Sequence, residues 1–285
     1  AGLAVLRAAL AEDVGRGDVT TLAVVPERAS LEAAIVVRAA GRIAGLELSL
    51  EAFRLVDSRV RAAACVPDGS DVNAGAVLAQ VSGSARAILS AERVALNLLG
   101  HLSGIATATA AAVRAVGEHR ARIADTRKTT PGLRLLEKYA VRIGGGVNHR
   151  MGLDDGVLIK DNHIAIAGGV REAIERARAA RHHLLRIEVE CDTLEQVEEA
   201  ISSGADAVLL DNMTVGQVAE AVALVKGRAL VEASGGVKLE DIPAIAATGV
   251  DLISIGWLTH SAPALDVALD AGIGGRDSGV GEAAT

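Results

Sequence analysis

The chain has 285 residues, and half of them are apolar, which is enough material for a substantial core. Aromatic residues make up only 1%, so binding of nucleic acid by base stacking has almost nothing to use. The net charge of −7 argues against a general binder of phosphate backbones, so any bound anion must be held by a local cluster of basic residues.

The first 105 residues predict a separate α+β domain. Residues 31–38 and 74–81 alternate between apolar and polar side chains, as strands do, and residues 86–99 and 105–116 are Ala-rich and helical. No apolar run approaches the roughly 20 residues that a membrane span needs, and acidic residues near the N-terminus argue against a signal peptide. We therefore expect no membrane association.

Residues 106–261 repeat a unit of strand and helix. Short apolar strands are followed by polar or Gly residues and then by amphipathic helices, which is typical of a parallel sheet covered on both faces. About 140 residues at roughly 22 per unit give six or seven units, so we expect an open barrel or one that lacks a strand. The predicted strands are 121–124, 157–159, 184–191, 205–210, 228–233 and 250–255.

Helix boundaries in this repeat carry their own signals. Thr193 and Thr214 are each followed three residues later by Gln, a pattern that predicts a capping box. Gly204 and Gly249 stand where a helix would end in a left-handed residue. Beyond the repeat, we expect a last helix near 262–270, packed on the N-terminal domain, and a flexible Gly-rich tail over 271–285.

Two cysteines, Cys65 and Cys191, lie far apart in the sequence. Their spacing suits neither a zinc site nor a redox pair, so we expect two small, buried apolar residues in a reducing, cytoplasmic setting.

Polar residues at the ends of the predicted strands are sorted by charge. In a parallel barrel these ends meet at one mouth, where reacting groups lie. A cluster of basic residues indicates that the ligand is a small, multiply charged anion. Carboxylates suit sugar hydroxyls or Mg²⁺, and a Ser-Gly-Gly turn suits a phosphate. In strand order, the basic residues are Arg127, Lys128, His149, Arg150 and Lys160, the acidic ones are Glu190 and Asp211, and the last are Ser234, Gly235, Gly236 and Gly256.

Each of these residues also has a purely structural interpretation. Arg127 and Lys128 could form a solvated face, and Glu190 and Asp211 could cap the helices that follow them. Residues 144–146, three glycines, read as a turn, and neither G-x-G-x-x-G nor a P-loop occurs. Because unrelated charges would not segregate by strand order, the joint arrangement favours one site.

Several motifs in order along the chain resemble the quinolinate phosphoribosyltransferase family. The similarity runs from Glu12-Asp13 to Leu258-Thr259-His260-Ser261. Its most specific segments are Ala91-Glu92-Arg93 with Asn97, His101-Leu102-Ser103-Gly104-Ile105-Ala106-Thr107, Asp125-Thr126-Arg127-Lys128-Thr129, Gly144-Gly145-Gly146-Val147-Asn148-His149-Arg150 and Leu158-Ile159-Lys160-Asp161-Asn162-His163.

The resemblance implies the type II phosphoribosyltransferase fold, an N-terminal α+β domain with an open seven-stranded parallel α/β barrel. It implies a pentosyltransferase that converts quinolinate and 5-phosphoribosyl 1-pyrophosphate to nicotinate mononucleotide, pyrophosphate and CO₂ with Mg²⁺, in de novo NAD biosynthesis. It also implies a homodimer, or a higher assembly of dimers such as a hexamer, in which Arg93 completes the site of the neighbouring subunit.

The same resemblance implies a role for each site residue. The quinolinate carboxylates and the phosphates would be bound by Thr126, Arg127, Lys128, His149, Arg150 and Lys160. Glu190 and Asp211 would face the ribose and hold Mg²⁺ directly or indirectly, and with Lys128 and Lys160 they form the catalytic set. The 5′-phosphate would lie against Ser234, Gly235, Gly236, Gly256 and His260.

Trp257 departs from the family pattern, which usually has a small residue after the glycine that matches Gly256. A bulky ring there could reshape the phosphate pocket or point into packing, and we expect packing. Two other functions remain as alternatives: a related phosphoribosyltransferase for another acid, such as the paralogues associated with molybdenum transport, and a non-catalytic metabolite-binding protein. The full basic set disfavours the first, and Glu190 with Asp211 disfavours the second.

Overall fold

A computed structural model describes residues 2–272, which form two compact units. The first unit comprises residues 2–107 and 263–272, and the second runs from Ala108 to Ala262. The predicted flexible tail lies outside the described residues from position 273 onward.

The first unit is built on a four-stranded antiparallel sheet in the order β12-β1-β5-β3. Strand β1 lies inside this sheet, and its last five residues are buried. Phe53 and Leu50 of α3 are fully buried in the same unit. The elements are α1 (Gly2–Val14), α2 (Val19–Val24), β1 (Ser30–Val37), β2 (Gly41–Arg42), α3 (Leu46–Val56), β3 (Arg61–Ala64), β4 (Asp71–Val72), β5 (Val77–Ser84), the start of α4 (Ala85–Val116) and β12 (Val267–Ala271).

The prediction of a last helix over 262–270 is wrong, because Val267–Ala271 forms strand β12. This strand pairs antiparallel with β1, from Ala33 opposite Ala271 to Val37 opposite Val267. Its backbone hydrogen bonds extend the sheet along β1, a tertiary gain that overrides the local helix preference of an Ala-containing segment.

The two helices predicted over 86–99 and 105–116 are one 32-residue helix, α4. Glycines at positions 100 and 104 lie inside this helix, where they permit a close approach of another backbone segment. A Cβ on Gly104 would lie 2.1 Å from the carbonyl oxygen of Pro263, and one on Gly100 would lie 2.8 Å from that of Leu265. The glycines therefore let the chain that leads into β12 pass against α4.

Helix α4 is also long and apolar enough to cross a membrane by length and composition alone, contrary to the expectation that no such run exists. Because 72% of its most apolar stretch is buried within the protein, these side chains belong to a core.

The second unit is a parallel sheet of six strands in the order β6-β11-β10-β9-β8-β7, with helices between the strands. A seventh position is filled by a single parallel bridge between Val147 and Ala124 at the outer side of β6. The arrangement is consistent with an α/β barrel-like fold, as predicted. Its strands are β6 (Arg122–Ala124), β7 (Val157–Ile159), β8 (Ile187–Cys191), β9 (Ala207–Asp211), β10 (Leu230–Ser234) and β11 (Leu252–Ser254).

The helices of this unit begin and end largely where the sequence indicated. Thr193 and Thr214 accept hydrogen bonds from the third residue of their helices, and Gly204 and Gly249 adopt left-handed φ of 80° and 89°. The predicted capping box is complete at Thr214, but at Thr193 the side chain of Gln196 accepts from the N–H of Asp192 instead. The helices are α5 (Arg134–Ile143), α6 (Asp161–Ala167), α7 (Val170–Ala180), α8 (Leu194–Ser202), α9 (Val215–Val225), a 3-10 turn (Leu239–Asp241), α10 (Ile242–Ala247) and α11 (Trp257–His260).

Candidate active site

A cavity of about 370 Å³ lies at the carboxyl ends of the parallel strands. Of the residues predicted to form the site, ten line this cavity together: Thr126, Arg127, Lys128, His149, Arg150, Lys160, Glu190, Asp211, Ser234 and Gly235. Side chains from six separate chain segments therefore converge on one space, because parallel strands bring their carboxyl ends to one mouth.

Two arginines crowd one side of this cavity. The Nε atom of Arg127 is buried and has no hydrogen-bond partner among the described residues. Burial, followed by the positive charge of Arg127, lowers the pKa of the Arg150 guanidinium. Arg150 itself is tied through Nη1 to the carbonyl oxygen of Gly156, at 2.9 Å. An anion bound between these two cations would supply the hydrogen-bond acceptors that their guanidinium groups lack.

Carboxylates stand among the other cavity residues. Glu190, at the end of β8, pairs with the ammonium group of Lys160, which follows β7. Asp211, at the end of β9, accepts a hydrogen bond from the side-chain amide of Asn212 at 2.7 Å. Both carboxylates are half-buried, so one cavity contains cationic and anionic groups within reach of a single ligand.

The turn after β10 requires glycine at position 235. Gly235 and Gly236 have φ of 88° and 59°, and a Cβ on Gly235 would lie 2.4 Å from Oδ1 of Asn212. Asn212 is itself left-handed, with φ of 54°. Ser234 receives a hydrogen bond from the hydroxyl of Ser254 on β11, at 2.9 Å. This packing fixes the turn and explains why the sequence places Ser-Gly-Gly there.

Gly256 and His260 lie beside Lys128. A Cβ on Gly256 would be 3.0 Å from Cδ of Lys128 and 3.3 Å from Nε2 of His260. Thr259 donates from its hydroxyl to the carbonyl oxygen of Lys128, at 2.8 Å, which ties α11 to the basic loop. Gly236 is exposed next to Gly235, and Arg93 is an exposed residue of α4 in the first unit.

Trp257 takes the packing role that we expected. Its indole N–H donates to the carbonyl oxygen of Val237 at 2.8 Å, and the ring is partly buried. The bond joins Val237, which follows the glycine turn, to Trp257, the first residue of α11. The indole therefore packs against the turn and stabilises it.

A buried network that sequence analysis did not assign lies beneath the basic side. The ammonium group of Lys138, on α5, pairs with the carboxylate of Asp125, and both side chains are buried. Asn148 donates from its amide to the same carboxylate. Asp125 was visible only as one more polar residue after β6, and Lys138 lies 13 positions away on a helix, so no local pattern indicates their pairing.

Sequence analysis also assigned no role to two further carboxylates. Glu188 on β8 lies 3.0 Å from Nε2 of His149, and Glu232 on β10 lies 3.7 Å from the same atom. Glu232 is 1% exposed, and neither of its carboxylate oxygens has a hydrogen-bond partner among the described residues. Burial, reinforced by Glu188, raises the pKa of Glu232 to about 7. Their only signal in the sequence is an acidic residue inside a strand that is otherwise apolar.

Comparison with known protein families accounts for nearly the whole chain. Residues 105–270 match the family model described as quinolinate phosphoribosyl transferase, C-terminal domain, and residues 18–103 match the corresponding N-terminal domain. The chain belongs to the quinolinate phosphoribosyltransferase family.

Individual members of this family are similar over almost their full length. A Bacillus subtilis protein named probable nicotinate-nucleotide pyrophosphorylase [carboxylating] is 49% identical, with 91% of this chain and 89% of that protein covered. A Mycobacterium leprae protein named nicotinate-nucleotide pyrophosphorylase [carboxylating] is 47% identical, with coverage of 93% and 95%. The crystal structure of NadC from Streptococcus pyogenes matches with a TM-score of 0.89 at 43% identity, covering 94% of this chain and 95% of that one.

Proposed function

We propose that this quinolinate phosphoribosyltransferase family member transfers the phosphoribosyl group of 5-phosphoribosyl 1-pyrophosphate to quinolinate. The products are nicotinate mononucleotide, pyrophosphate and CO₂, the reaction that feeds de novo NAD biosynthesis. The observation that carries the proposal is the pair Arg127 and Arg150, two cations that repel each other within one cavity. A dianion such as quinolinate would relieve that repulsion.

The basic residues divide the work of binding. Arg127 and Arg150 can take the two adjacent carboxylates, because a guanidinium presents a fork of donors that matches a carboxylate. Lys128 and Lys160 are compact point charges that suit the phosphates and the reacting end of the pyridine. Gly235 and Gly236, with Gly256 and His260, form the part that we assign to the 5′-phosphate, where backbone N–H groups can donate to an anion.

Magnesium is part of the proposal, and the residues present fit it. Oxygen donors are what Mg²⁺ prefers, and Glu190 and Asp211 supply carboxylates in the cavity. When bound there, the ion would stabilise the negative charge of the pyrophosphate.

Transfer begins at C1 of the ribose. The bond from C1 to the pyrophosphate oxygen breaks, and positive charge develops on the ribose ring. The carboxylates of Glu190 and Asp211 favour that charge electrostatically. The lone pair of the pyridine nitrogen then forms the new C1–N bond, while the arginines hold the ring in the orientation that this attack requires.

Loss of CO₂ follows from the product of that step. The pyridinium nitrogen lies next to the carbon that bears the 2-carboxylate. The C–CO₂ bond breaks, its electron pair stays on that ring carbon, where the positive nitrogen stabilises it, and a proton is then taken up there. The substrate therefore contains its own electron-stabilising group.

Product analysis tests the assignment. The protein is mixed with quinolinate, the ribosyl donor and Mg²⁺, and nicotinate mononucleotide, pyrophosphate and CO₂ are measured. We expect the three products in equal amounts, and loss of all three in Lys160→Ala, while Arg122→Ala, an exposed residue at the start of β6, remains active. Binding of quinolinate without any turnover would favour a metabolite-binding protein instead.

We also propose a homodimer, or a higher assembly of dimers, in which Arg93 completes the neighbouring site. Support comes from its exposure on α4 and from the family resemblance of its motif. Arg93→Ala mixed with Lys160→Ala would regain part of the activity through hybrid sites. No recovery, despite demonstrated subunit exchange, would contradict a shared site.

A cytoplasmic location completes the proposal, supported by Cys65 and Cys191, which are both unpaired. Cys191 is buried as predicted, whereas the prediction that Cys65 is buried is wrong, because it follows the short edge strand β3 and is exposed. A relative from Oryza sativa that is 43% identical is named chloroplastic. Fractionation of the source cells, with detection of the protein, would decide the compartment.

A further inference from the structure

His149 uses every one of its polar atoms within the protein. Its N–H donates to the carboxylate of Asp125 at 2.9 Å, and its carbonyl oxygen accepts from the ammonium group of Lys138 at 2.9 Å. In the ring, Nδ1 accepts from the backbone N–H of Arg150 at 2.8 Å, and Nε2 lies 3.0 Å from the carboxylate of Glu188. A residue bound on all sides has no ring nitrogen left for a ligand.

These contacts fix where the ring proton lies. An N–H group points at Nδ1, so that nitrogen must be the acceptor, and the proton must be on Nε2, where Glu188 accepts it. The hydrogen bond to Glu188 raises the pKa of the His149 ring, but a second proton, on Nδ1, would break the bond from Arg150. We therefore assign the neutral ring with its proton on Nε2.

The same geometry disfavours a metal ion at this cluster. His149, Glu188 and Glu232 offer ligand atoms that all lie within 4.8 Å of one another. A cation on Nε2 would require the ring proton on Nδ1, directly opposite the N–H of Arg150. The cluster is therefore better suited to hold the ring than to bind an ion.

We propose that His149 and Glu188 are positioning residues, which hold the backbone of Arg150 so that its guanidinium stays in the anion site. His149 lines the cavity, but both of its ring nitrogens are engaged within the protein, so it acts through Arg150, in contrast to the role that the family resemblance implies for it. This inference rests on the proposed function, because it takes the anion bound by Arg150 to be quinolinate.

Arg150 needs such support because it faces a like charge. Arg127 repels the guanidinium of Arg150. Among the described residues, that guanidinium makes one hydrogen bond, to the carbonyl oxygen of Gly156. Without a fixed backbone, Arg150 would swing away from Arg127 in the ligand-free protein, and the ligand would have to draw it back. Glu188 does not line the cavity itself, and its hydrogen bond is to His149, which does.

The first test needs no substrate. Protein with ¹⁵N-labelled histidine is studied by NMR, and the His149 signals are identified by their absence from His149→Asn. We expect a protonated Nε2 and an unprotonated Nδ1, both unchanged when quinolinate is added. A proton on Nδ1, or a change of tautomer on addition of quinolinate, would overturn the proposal.

A double-mutant cycle gives the second test. Glu188→Ala and His149→Ala should each raise KM for quinolinate about tenfold or more with little change in kcat, and the double variant should be no worse than either. Glu188→Gln, whose amide oxygen can still accept from Nε2, should restore the affinity, and the exposed Glu198→Gln serves as the control. Multiplying effects, or an unchanged KM in Glu188→Ala, would refute the proposal. If the unaltered protein forms no product, the proposed function fails, while the NMR result stands on its own.

Discussion

Burial, followed by the positive charge of Arg127, lowers the pKa of Arg150 in the cavity that both residues line, so two like charges face each other there without a ligand. Such a pair is costly to the fold and useful to a binding site. Proteins tolerate local instability where a ligand supplies the missing interaction, which is the usual conflict between stability and activity.

That conflict can be measured with Arg150→Met, which keeps the apolar part of the side chain and removes the charge. We expect kcat/KM for quinolinate to fall about 30-fold or more, because a charged partner of the anion is lost. The free energy of unfolding without ligand should fall by no more than about 1 kcal/mol, since the lost charge was repelled. Urea denaturation measures the second quantity. A large loss of stability with intact kinetics would contradict this account of the pair.

Gly235→Ala tests the glycine turn. The residue would have to keep a φ of 88° with its Cβ 2.4 Å from Oδ1 of Asn212, so the turn must move. We expect a loss of stability of about 1–3 kcal/mol and a higher KM for the ribosyl donor. Gly216→Ala is the matched control, because it lies in α9 with nothing within 4 Å of its Cβ, and it should be neutral or stabilising. Equal behaviour of the two variants would remove the turn from the site.

Trp257 is the only tryptophan of the chain, which makes it a reporter of the phosphate side. We expect its fluorescence to change when the ribosyl donor binds, because its indole is bonded to Val237 behind the glycine turn. Trp257→Phe should lower stability by about 0.5–1.5 kcal/mol through loss of that bond. A tryptophan emission spectrum that does not change at saturating concentrations of the ribosyl donor would show that the turn is not part of the donor site.

Glu232 makes the stability of the protein depend on pH. Its pKa rises from 4.5 in the unfolded chain to about 7 in the fold, so the folded state holds a proton that the unfolded state releases between those values. Stability should therefore fall as pH rises from about 4.5 to 7, by about 3 kcal/mol from this group, and stay level above.

The variant Glu232→Gln isolates this contribution. Its free energy of unfolding, relative to the unaltered protein, should rise by that amount between pH 4.5 and pH 8, and Glu198→Gln should show no such difference. Parallel stability curves for Glu232→Gln and the unaltered protein would mean that Glu232 does not hold its proton in the fold.

The barrel strands and several caps were predictable because their signals are local. An apolar run such as 207–210 followed by Asp211, or Thr214 followed by Gln217, specifies its structure within one turn of chain. The convergence of the strand ends was predictable for the same reason, since parallel strands share one mouth.

Other features depend on partners far away in the sequence. Strand β12 forms because β1 offers it an edge more than 200 residues earlier, and position 104 requires glycine because Pro263 passes against it. The bond between Glu188 and His149 joins residues 39 positions apart, and the state of Glu232 depends on its burial. Local pattern cannot indicate such contacts, so sequence analysis identified ten of the residues that line the cavity but assigned no role to Glu232, which also lines it, or to Glu188, which bonds to His149.

The central claim is that a cationic cavity recognises two adjacent carboxylates on a pyridine, and its most direct test compares quinolinate with nicotinate. Nicotinate has one carboxylate, so its binding would leave a partly buried cation unpaired, at a cost of about 2–5 kcal/mol. The measurement is kcat/KM for both acids with saturating donor and Mg²⁺. We predict a preference for quinolinate of roughly 30- to several-thousand-fold. Equal values for the two acids would contradict the account.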